Sequence, residues 1–336
     1  MIIGEGNFQY EWSDTWANIP NPSSARKGWS HNGIVVTEGG KIITLHHGDL
    51  VMLEYNDEGT VESSWQLGLE EAHEIVLVKE KDSEFLWIAD NGRKRSPGTG
   101  YEYPILEGLV EGKVVKTTLS GDIILELPTP DILPYKTSDY MPTSVAVNQE
   151  VNGGNGDVWV SDGYGQNYVH RYDKQGKYLS SINGEEGQLN RFNCPHSVFL
   201  DTRKQEHELL VADRGNGYVQ VYSTDGKFKR GFGFDYLSSP SGFALDGDNL
   251  IITELRARLT IVDIEDRLVS YLGNNEQVCD LPGWPNAIDA SGNTTATQNL
   301  ERGKFNSPHG IAVDAQHNIY VSEWLIGGRL VKLTKS

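Results

Sequence analysis

Residues 305–324 read FNSPHGIAVDAQHNIYVSEW and contain two short apolar runs joined by a polar turn. Apolar and β-branched residues on both sides of a turn rich in Asp, Gln and Asn predict a β-hairpin. His309 stands where the first of these two strands begins. It is therefore either an ordinary part of the strand or a ligand placed at its start.

The same pattern recurs along the chain, in segments that begin at Ser30, Ala72, Met141, Cys194 and Ser239. Two further alternating runs usually follow each hairpin, as in GYVQVYSTDG and KFKRGFG over residues 217–233, which meet at an Asp-Gly turn. Six units of four strands, with almost no helical periodicity, predict an all-β fold, a six-bladed β-propeller.

The two ends of the chain complement each other. The last unit ends at GRLVKLTKS, residues 328–336, without a fourth strand, whereas residues 8–14, FQYEWSD, look like a fourth strand with no predecessors. We therefore expect the N-terminal strand to close the last blade, which removes exposed sheet edges. Residues 1–336 are accordingly predicted to form a single propeller domain.

Composition limits the classes of partner. The formal net charge is −18 and no run of Lys or Arg is present, which argues against nucleic acid and anionic membranes. Cys194 and Cys279 are the only cysteines, and the N-terminus lacks the basic and apolar regions of a signal peptide. We expect a cytoplasmic monomer that acts on a small-molecule or peptide-like substrate.

Histidines occupy alternate units at one position of the repeat. Strand one of each blade begins on the face where strand two ends, and the long insertions 93–112 and 275–306 rise around the same face. Alignment of the units places six residues at the channel mouth: Asn32, His73, Thr143, His196, Ser241 and His309. Blades two, four and six lie about 120° apart in a six-bladed ring, so His73, His196 and His309 are predicted to bind Zn²⁺ or another divalent transition metal.

A second ring of residues closes strand two of each unit. Its members are mostly acidic: His46, Asp90, Asp162, Asp213, Glu254 and Glu323. Acidic residues at such positions commonly accept hydrogen bonds from loop amides, which favours a structural role. The more variable residues just beyond them are predicted to reach over the channel, with His47, Arg93 and Trp324 as substrate contacts, Tyr164 as a phenol near the metal-bound ligand and Arg214 as a carboxylate-binding cation.

Three runs in the middle of the chain, residues 158–184, 190–201 and 209–222, resemble the peptidyl-α-hydroxyglycine α-amidating lyase family, and the similarity extends to AHEIVLV from Ala72 and SPHGIAV from Ser307. The resemblance implies a six-bladed propeller of NHL-type repeats with zinc on His73, His196 and His309. It also implies that Tyr164 is the catalytic tyrosine and that Arg214 contacts the substrate. The implied reaction cleaves a carbinolamide to an amide and glyoxylate, with Tyr164 as the base if a nearby cation lowers its pKa.

Several positions depart from the family pattern. Gly165 replaces the cysteine that follows the tyrosine, and Gly28, beside Arg26 and Lys27, stands near the place of an essential arginine. Gly310 replaces an acidic residue that the family links to a structural calcium, so calcium is not expected. The substrate therefore stays open.

Two other functions fit the predicted fold. A lactonase, or a sugar-acid lyase or epimerase, would use mixed carboxylate, Asn and His ligands, and Asn32, Asp90 and Glu254 would then matter more than the three histidines. A non-catalytic NHL-type propeller would bind a protein or peptide through one face and would need no metal. RNA binding is disfavoured because it needs a basic face.

Overall fold

The computed structural model describes residues 1–92 and 110–336, and the prediction of a six-bladed β-propeller is confirmed. The chain begins with β1 (Ile2–Ile3), β2 (Tyr10–Ser13), the short helix α1 (Pro22–Ala25) and β3 (Trp29–Ser30). Blade one contains β4 (Ile34–Val36), β5 (Ile42–His46), β6 (Val51–Tyr55) and β7 (Val61–Trp65). Blade two contains β8 (Ala72–Glu80), β9 (Ser83–Asp90), β10 (Lys113–Thr118) and β11 (Ile123–Glu126).

The next three blades have the same antiparallel four-stranded order. Blade three contains β12 (Ser144–Val147), β13 (Val158–Ser161), β14 (Val169–Tyr172) and β15 (Tyr178–Ile182). Blade four contains β16 (Pro195–Asp201), β17 (Glu208–Asp213), β18 (Tyr218–Ser223) and β19 (Phe228–Phe232). Blade five contains β20 (Pro240–Asp246), β21 (Asn249–Glu254), β22 (Arg258–Val262) and β23 (Leu268–Leu272).

Blade six joins the two ends of the chain. After the small hairpin β24 (Ala287–Ile288) and β25 (Thr294–Thr295) come β26 (Pro308–Val313), β27 (Ile319–Glu323), β28 (Leu325–Ile326) and β29 (Arg329–Lys335). The sheet runs in the order β1-β2-β29-β27-β26, so the predicted N-terminal strand is confirmed and is followed by a further short strand, β1. The strand β28 pairs separately with β3.

The hairpins form where the sequence predicted them because their turns have suitable residues. Between β18 and β19, the turn passes through Gly226, whose φ of +88° disfavours L side chains. On both sides of it the strands are rich in Val, Tyr and Phe, which favour pleated, half-buried positions.

The innermost strands form a closed ring. The strands β4, β8, β12, β16, β20 and β26 each contact the next, and β26 contacts β4. Six apolar clusters fill the spaces between neighbouring blades, so that burial holds each blade to the next. Blades one and two approach closely at Gly33, where a Cβ atom would lie 2.2 Å from the backbone nitrogen of Ile75.

Of the two long insertions predicted from the sequence, the structure describes residues 275–306 in full. Residues 275–306, predicted as a loop, include a 3-10 helix over Glu276–Asp280 as well as the hairpin β24–β25. Two other 3-10 helices span Leu133–Lys136 and Glu150–Asn152. Most of the insertion 93–112 lies outside the described residues. Among the residues that the structure describes, none of the helices combines the length and the apolar composition needed to cross a bilayer.

Candidate metal centre

The three predicted histidines each sit in a β-bulge at the start of an innermost strand. The pairing register skips one residue between Ala72 and Glu74, between Pro195 and Ser197, and between Pro308 and Gly310. The skipped residues are His73, His196 and His309. A bulge locally redirects a side chain, and here the three imidazoles come together.

A fourth histidine completes the group. The ligand atoms of His31, His73, His196 and His309 lie within 4.8 Å of one another, and all four residues are buried. His31 precedes the aligned position of the first unit, where the sequence alignment placed Asn32. The Asn32 amide instead donates a hydrogen bond to the carbonyl of Leu45, 2.7 Å away, inside its own blade.

The separations between the nitrogens suit a metal ion. The Nε2 atom of His309 lies 3.3 Å from Nε2 of His73 and 3.3 Å from Nε2 of His196. Two imidazole nitrogens on a tetrahedral zinc are about 3.3–3.4 Å apart, because each Zn–N bond is about 2.0–2.1 Å. The donor set therefore fits zinc or another transition metal that accepts imidazole.

The other ring nitrogen of each imidazole decides which nitrogen can face a metal. Nδ1 of His73 donates to the carbonyl of Thr143 at 2.5 Å, and Nδ1 of His196 donates to the carbonyl of Ser241 at 2.7 Å. Both hydrogen bonds place the proton on Nδ1 and leave the Nε2 lone pair toward the axis. Among the described residues, Nδ1 of His309 has no such partner.

Burial keeps these imidazoles neutral. It lowers the pKa values of His73, His196 and His309 well below their usual range, and the neighbouring imidazoles lower all three further. The charge of Arg214 acts in the same direction on the pKa of His196. A neutral imidazole is the form that binds a metal.

Tyr164 contacts the histidine group. Its Oη atom is 3.2 Å from Nε2 of each of three histidines: His31, His73 and His196. The guanidinium carbon of Arg214 lies 5.6 Å from the centre of the Tyr164 ring, and its Nη2 atom is 3.4 Å from Sγ of Cys194.

Burial and Arg214 have opposite effects on the pKa of Tyr164. Burial raises the pKa of Tyr164 to about 12, although Arg214 opposes this shift. The role of Tyr164 as a base stays a prediction, because a cation bound next to the phenol would lower this pKa. At neutral pH the side chain is a phenol that can donate a hydrogen bond.

Of the three residues predicted to contact the substrate, Trp324 lies at the histidine group and His47 does not. The Trp324 ring lies 5.4 Å from the His31 ring, so it borders the centre. His47 is buried and stacks on His46 at a ring distance of 5.6 Å, outside the group of four histidines. Arg93 lies outside the described residues.

The acidic ring has the structural role that the sequence favoured. Asp90 accepts hydrogen bonds from the amides of Glu70, Glu71 and Gly92. Glu254 accepts hydrogen bonds from Ser238 and Arg258, among others. The side chain of Asn32 likewise bonds to the Leu45 carbonyl. The three residues that a lactonase-like protein would use, Asn32, Asp90 and Glu254, therefore all make hydrogen bonds that stabilise the blades.

Two of the departures from the family pattern have a steric reason. A Cβ atom on Gly165 would lie 2.2 Å from Oδ1 of Asp162, and one on Gly310 would lie 2.6 Å from the carbonyl oxygen of Asn32. Neither position has room for a side chain without movement. Arg26 and Lys27, next to the buried Gly28, are exposed.

Curated relatives support the resemblance to the amidating lyases. No family model matches the chain. A probable peptidyl-α-hydroxyglycine α-amidating lyase of Caenorhabditis elegans is 29% identical over 184 residues, which cover 54% of this chain and 46% of that protein. The peptidyl-glycine α-amidating monooxygenase of Mus musculus is 34% identical over 90 residues, which cover 26% of this chain and 9% of that protein. The alignments thus span less than half the length of these relatives, and with the six-bladed fold they confirm the predicted resemblance.

Solved structures share the fold. A streptogramin B lyase aligns over 99% of this chain and 100% of its own, with a TM-score of 0.58 and 15% identity. The virginiamycin B lyase of Staphylococcus aureus aligns over 97% of this chain and 99% of its own, with a TM-score of 0.57 and 17% identity. At such low identity the similarity concerns the fold alone.

Proposed function

We propose that the protein is a metal-dependent lyase that cleaves a carbinolamide or a similar α-hydroxylated substrate, with the metal held by His73, His196 and His309. The observation that carries the proposal is the convergence of these three buried imidazoles with Tyr164 and Arg214 at one end of the channel. The similarity to an amidating lyase over 54% of the chain supports the same reaction class.

The metal and the protein have separate tasks in this proposal. A divalent ion held by His73, His196 and His309 would supply positive charge, which would lower the pKa of a substrate hydroxyl. The surrounding imidazoles are kept neutral by burial, so they remain available as ligands at neutral pH. The bulges fix the starting positions of all three ligands within the innermost ring of strands.

Tyr164 is suited to move a proton from the hydroxyl group of the substrate to the nitrogen of the C–N bond that breaks. The hydroxyl proton leaves oxygen, the oxygen electrons form a carbonyl group, and the C–N bond breaks with its electron pair on nitrogen. The nitrogen then takes up one proton, which yields an amide and an aldehyde. A phenol with a raised pKa can give its own proton to the nitrogen and then, as a phenolate, accept the hydroxyl proton.

Arg214 provides the fixed cation of the site. Its guanidinium lies beside the Tyr164 ring, where its charge favours the phenolate that would form transiently. A carboxylate next to the carbinol carbon, as in an α-hydroxyglycine, could also pair with this side chain. The proposed substrate is therefore a small or peptide-like molecule with an α-hydroxyglycine end.

Direct assay of both products tests the proposal. Purified protein is incubated with an N-acyl-α-hydroxyglycine, and the amide and glyoxylate are quantified before chelation, after chelation and after zinc is restored. We expect equal amounts of the two products, loss of activity on chelation and recovery with metal. Turnover that is unaffected by complete metal removal, or the absence of turnover in metal-loaded protein, would contradict the proposed reaction.

A further inference from the structure

A metal centre with three histidine ligands does not explain why His31 lies in the same group. Its ring lies 4.5 Å from the His73 ring and 4.3 Å from the His309 ring, measured between centroids. Its Nε2 atom contacts Oη of Tyr164 at 3.2 Å, as do the Nε2 atoms of His73 and His196. The imidazole therefore occupies the same side of the channel as the predicted ligands.

The Nδ1 atom of His31 contacts a carboxylate, which is a stronger acceptor than the backbone carbonyls that Nδ1 of His73 and of His196 contact. Nδ1 of His31 contacts Oε1 of Glu71, and both side chains are buried. This contact places a proton on Nδ1 and directs the Nε2 lone pair toward the other histidines. A carboxylate on the far side of a metal-binding imidazole also makes the imidazole more basic.

Glu71 links His31 to a ligand that was predicted from sequence. Its carbonyl accepts a hydrogen bond from the His73 amide at 2.7 Å, and its own amide donates to Asp90 at 3.0 Å. The segment that sets the His73 bulge therefore also carries the carboxylate that orients His31. The positions of the two imidazoles are coupled through one short stretch of backbone.

We propose that His31 is a fourth protein ligand of the metal and that Glu71 is its positioning residue. The inference rests on the proposed metal centre and extends it from three to four imidazoles, with the substrate hydroxyl as a fifth ligand. Two nitrogens on opposite sides of a five-coordinate ion are about 4.2 Å apart, whereas two nitrogens on a tetrahedral ion are about 3.4 Å apart. Since the four ligand atoms lie within 4.8 Å of one another, the most distant pair needs to approach by only about half an ångström.

Metal affinity and the Co²⁺ spectrum test this assignment without an activity assay. Affinity for Zn²⁺ is measured by competition with a chromophoric chelator for the wild type, His31→Gln and Glu71→Gln. We expect the loss of the carboxylate charge in Glu71→Gln to weaken binding roughly 10–100-fold and to leave the Co²⁺ d–d bands nearly in place. His31→Gln should weaken binding at least as much and also change the intensity or position of those bands.

The chain offers a matched control pair. Nδ1 of His317 contacts a carboxylate oxygen of Asp246 at 2.5 Å, in the same manner as His31 and Glu71, but the His317 side chain is 58% exposed and lies outside the histidine group. His317→Gln and Asp246→Asn should leave metal affinity within about twofold of the wild type, since neither residue belongs to the centre. Thermal unfolding of the metal-free variants separates ligand loss from misfolding.

The outcomes distinguish this inference from the proposed function. If the wild type binds metal, His196→Ala loses it, and both His31→Gln and Glu71→Gln match the wild type in affinity and spectrum, His31 is not a ligand and only this inference fails. If the wild type binds no metal, both proposals fail. Should His31→Gln fail to fold, unchanged affinity in Glu71→Gln would still overturn the positioning role.

Discussion

At the scale of single residues, the chemistry of the centre depends on which nitrogen each imidazole presents. Nδ1 of His73 donates a hydrogen bond to the carbonyl of Thr143, and Nδ1 of His196 donates one to the carbonyl of Ser241. Each acceptor lies in the blade that follows the histidine. These carbonyls belong to the repeat positions that lack histidine in blades three and five. Alternation of histidine along the repeat therefore gives each of these two ligands a neighbour that fixes its tautomer.

Replacement of Tyr164 by Phe should separate chemistry from metal binding. The change removes the hydroxyl that lies 3.2 Å from Nε2 of three histidines and retains the ring beside Arg214. We expect kcat to fall by about 10²–10⁴, the usual contribution of a proton-transferring group, while metal content stays at the wild-type level. Steady-state kinetics and elemental analysis of the same preparation provide the two readouts.

Tyr168→Phe is the control, because Tyr168 stacks on His170 in the same blade rather than on the histidine group. Its kcat should match that of the wild type. A Tyr164→Phe variant with wild-type kcat would remove the tyrosine from the mechanism, whatever its metal content.

The sequence predicted three of the four clustered histidines and missed the fourth for a geometric reason. His73, His196 and His309 share one repeat position, so alignment alone brings them together. His31 lies one residue before that position, and only the inward hydrogen bond of Asn32 and the contact with Glu71 reveal that the first blade contributes through the neighbouring residue. A search for histidines within one residue of the aligned position could have found it.

At the scale of strands and loops, a polar network is built into blade three. His170, on β14, lies between Tyr135 and Ser181, with 2.8 Å from Nε2 to the Tyr135 oxygen and 2.8 Å from Nδ1 to the Ser181 oxygen. Tyr135 in turn donates to Asp162 at 2.5 Å. This arrangement satisfies a histidine that the mechanism does not use.

Burial of His170 predicts a pH dependence of stability. Burial lowers its pKa to about 3, whereas a histidine in the unfolded chain has a pKa of about 6.5. Between these values the unfolded state binds a proton that the folded state does not, so the free energy of unfolding falls as the pH is lowered. One such group contributes at most about 1.4 kcal/mol per pH unit.

Urea unfolding of metal-free protein at pH 4, 5 and 6 checks this prediction. In His170→Gln the decrease in unfolding free energy per pH unit should be smaller than in the wild type by about 1 kcal/mol. Equal slopes for the wild type and His170→Gln would show that His170 is not the titrating group.

Strands were easier to predict than the insertions. Apolar alternation and Asp-Gly turns predict the hairpins from local sequence, because each turn and its strands are contiguous. The 3-10 helix over Glu276–Asp280 and the hairpin β24–β25 lie in a segment rich in Gly, Pro and Ser, whose composition indicates only a loop. Their contacts with distant residues, such as the bond from Trp284 Nε1 to the Asn306 carbonyl at 2.8 Å, leave no local pattern.

At the scale of the whole molecule, the last blade depends on both ends of the chain. Trp12, on β2, is only 1% exposed and packs edge-on against Phe305 with ring centres 4.8 Å apart. The same ring lies 5.2 Å from the guanidinium carbon of Arg329. The propeller is thus closed by apolar packing as well as by the hydrogen bonds between β2 and β29. The division of residues 1–336 into one domain stays a prediction.

Trp12→Ala tests this closure. Removal of a fully buried tryptophan should lower the free energy of unfolding by about 3–5 kcal/mol. Glu11→Ala, an exposed change on the same strand, should stay within about 0.5 kcal/mol of the wild type. Chemical denaturation of both variants gives the comparison, and an unchanged Trp12→Ala would mean that β2 contributes little to the last blade.

The most direct test of the central claim is the metal content of the protein purified without an affinity tag, measured by elemental analysis for the wild type, His196→Ala and the control His317→Ala. We expect about one zinc or similar divalent ion per chain in the wild type and in the control, and loss of that ion in His196→Ala. A wild type without stoichiometric metal after incubation with zinc, or a His196→Ala variant that keeps the ion with wild-type affinity, would contradict it.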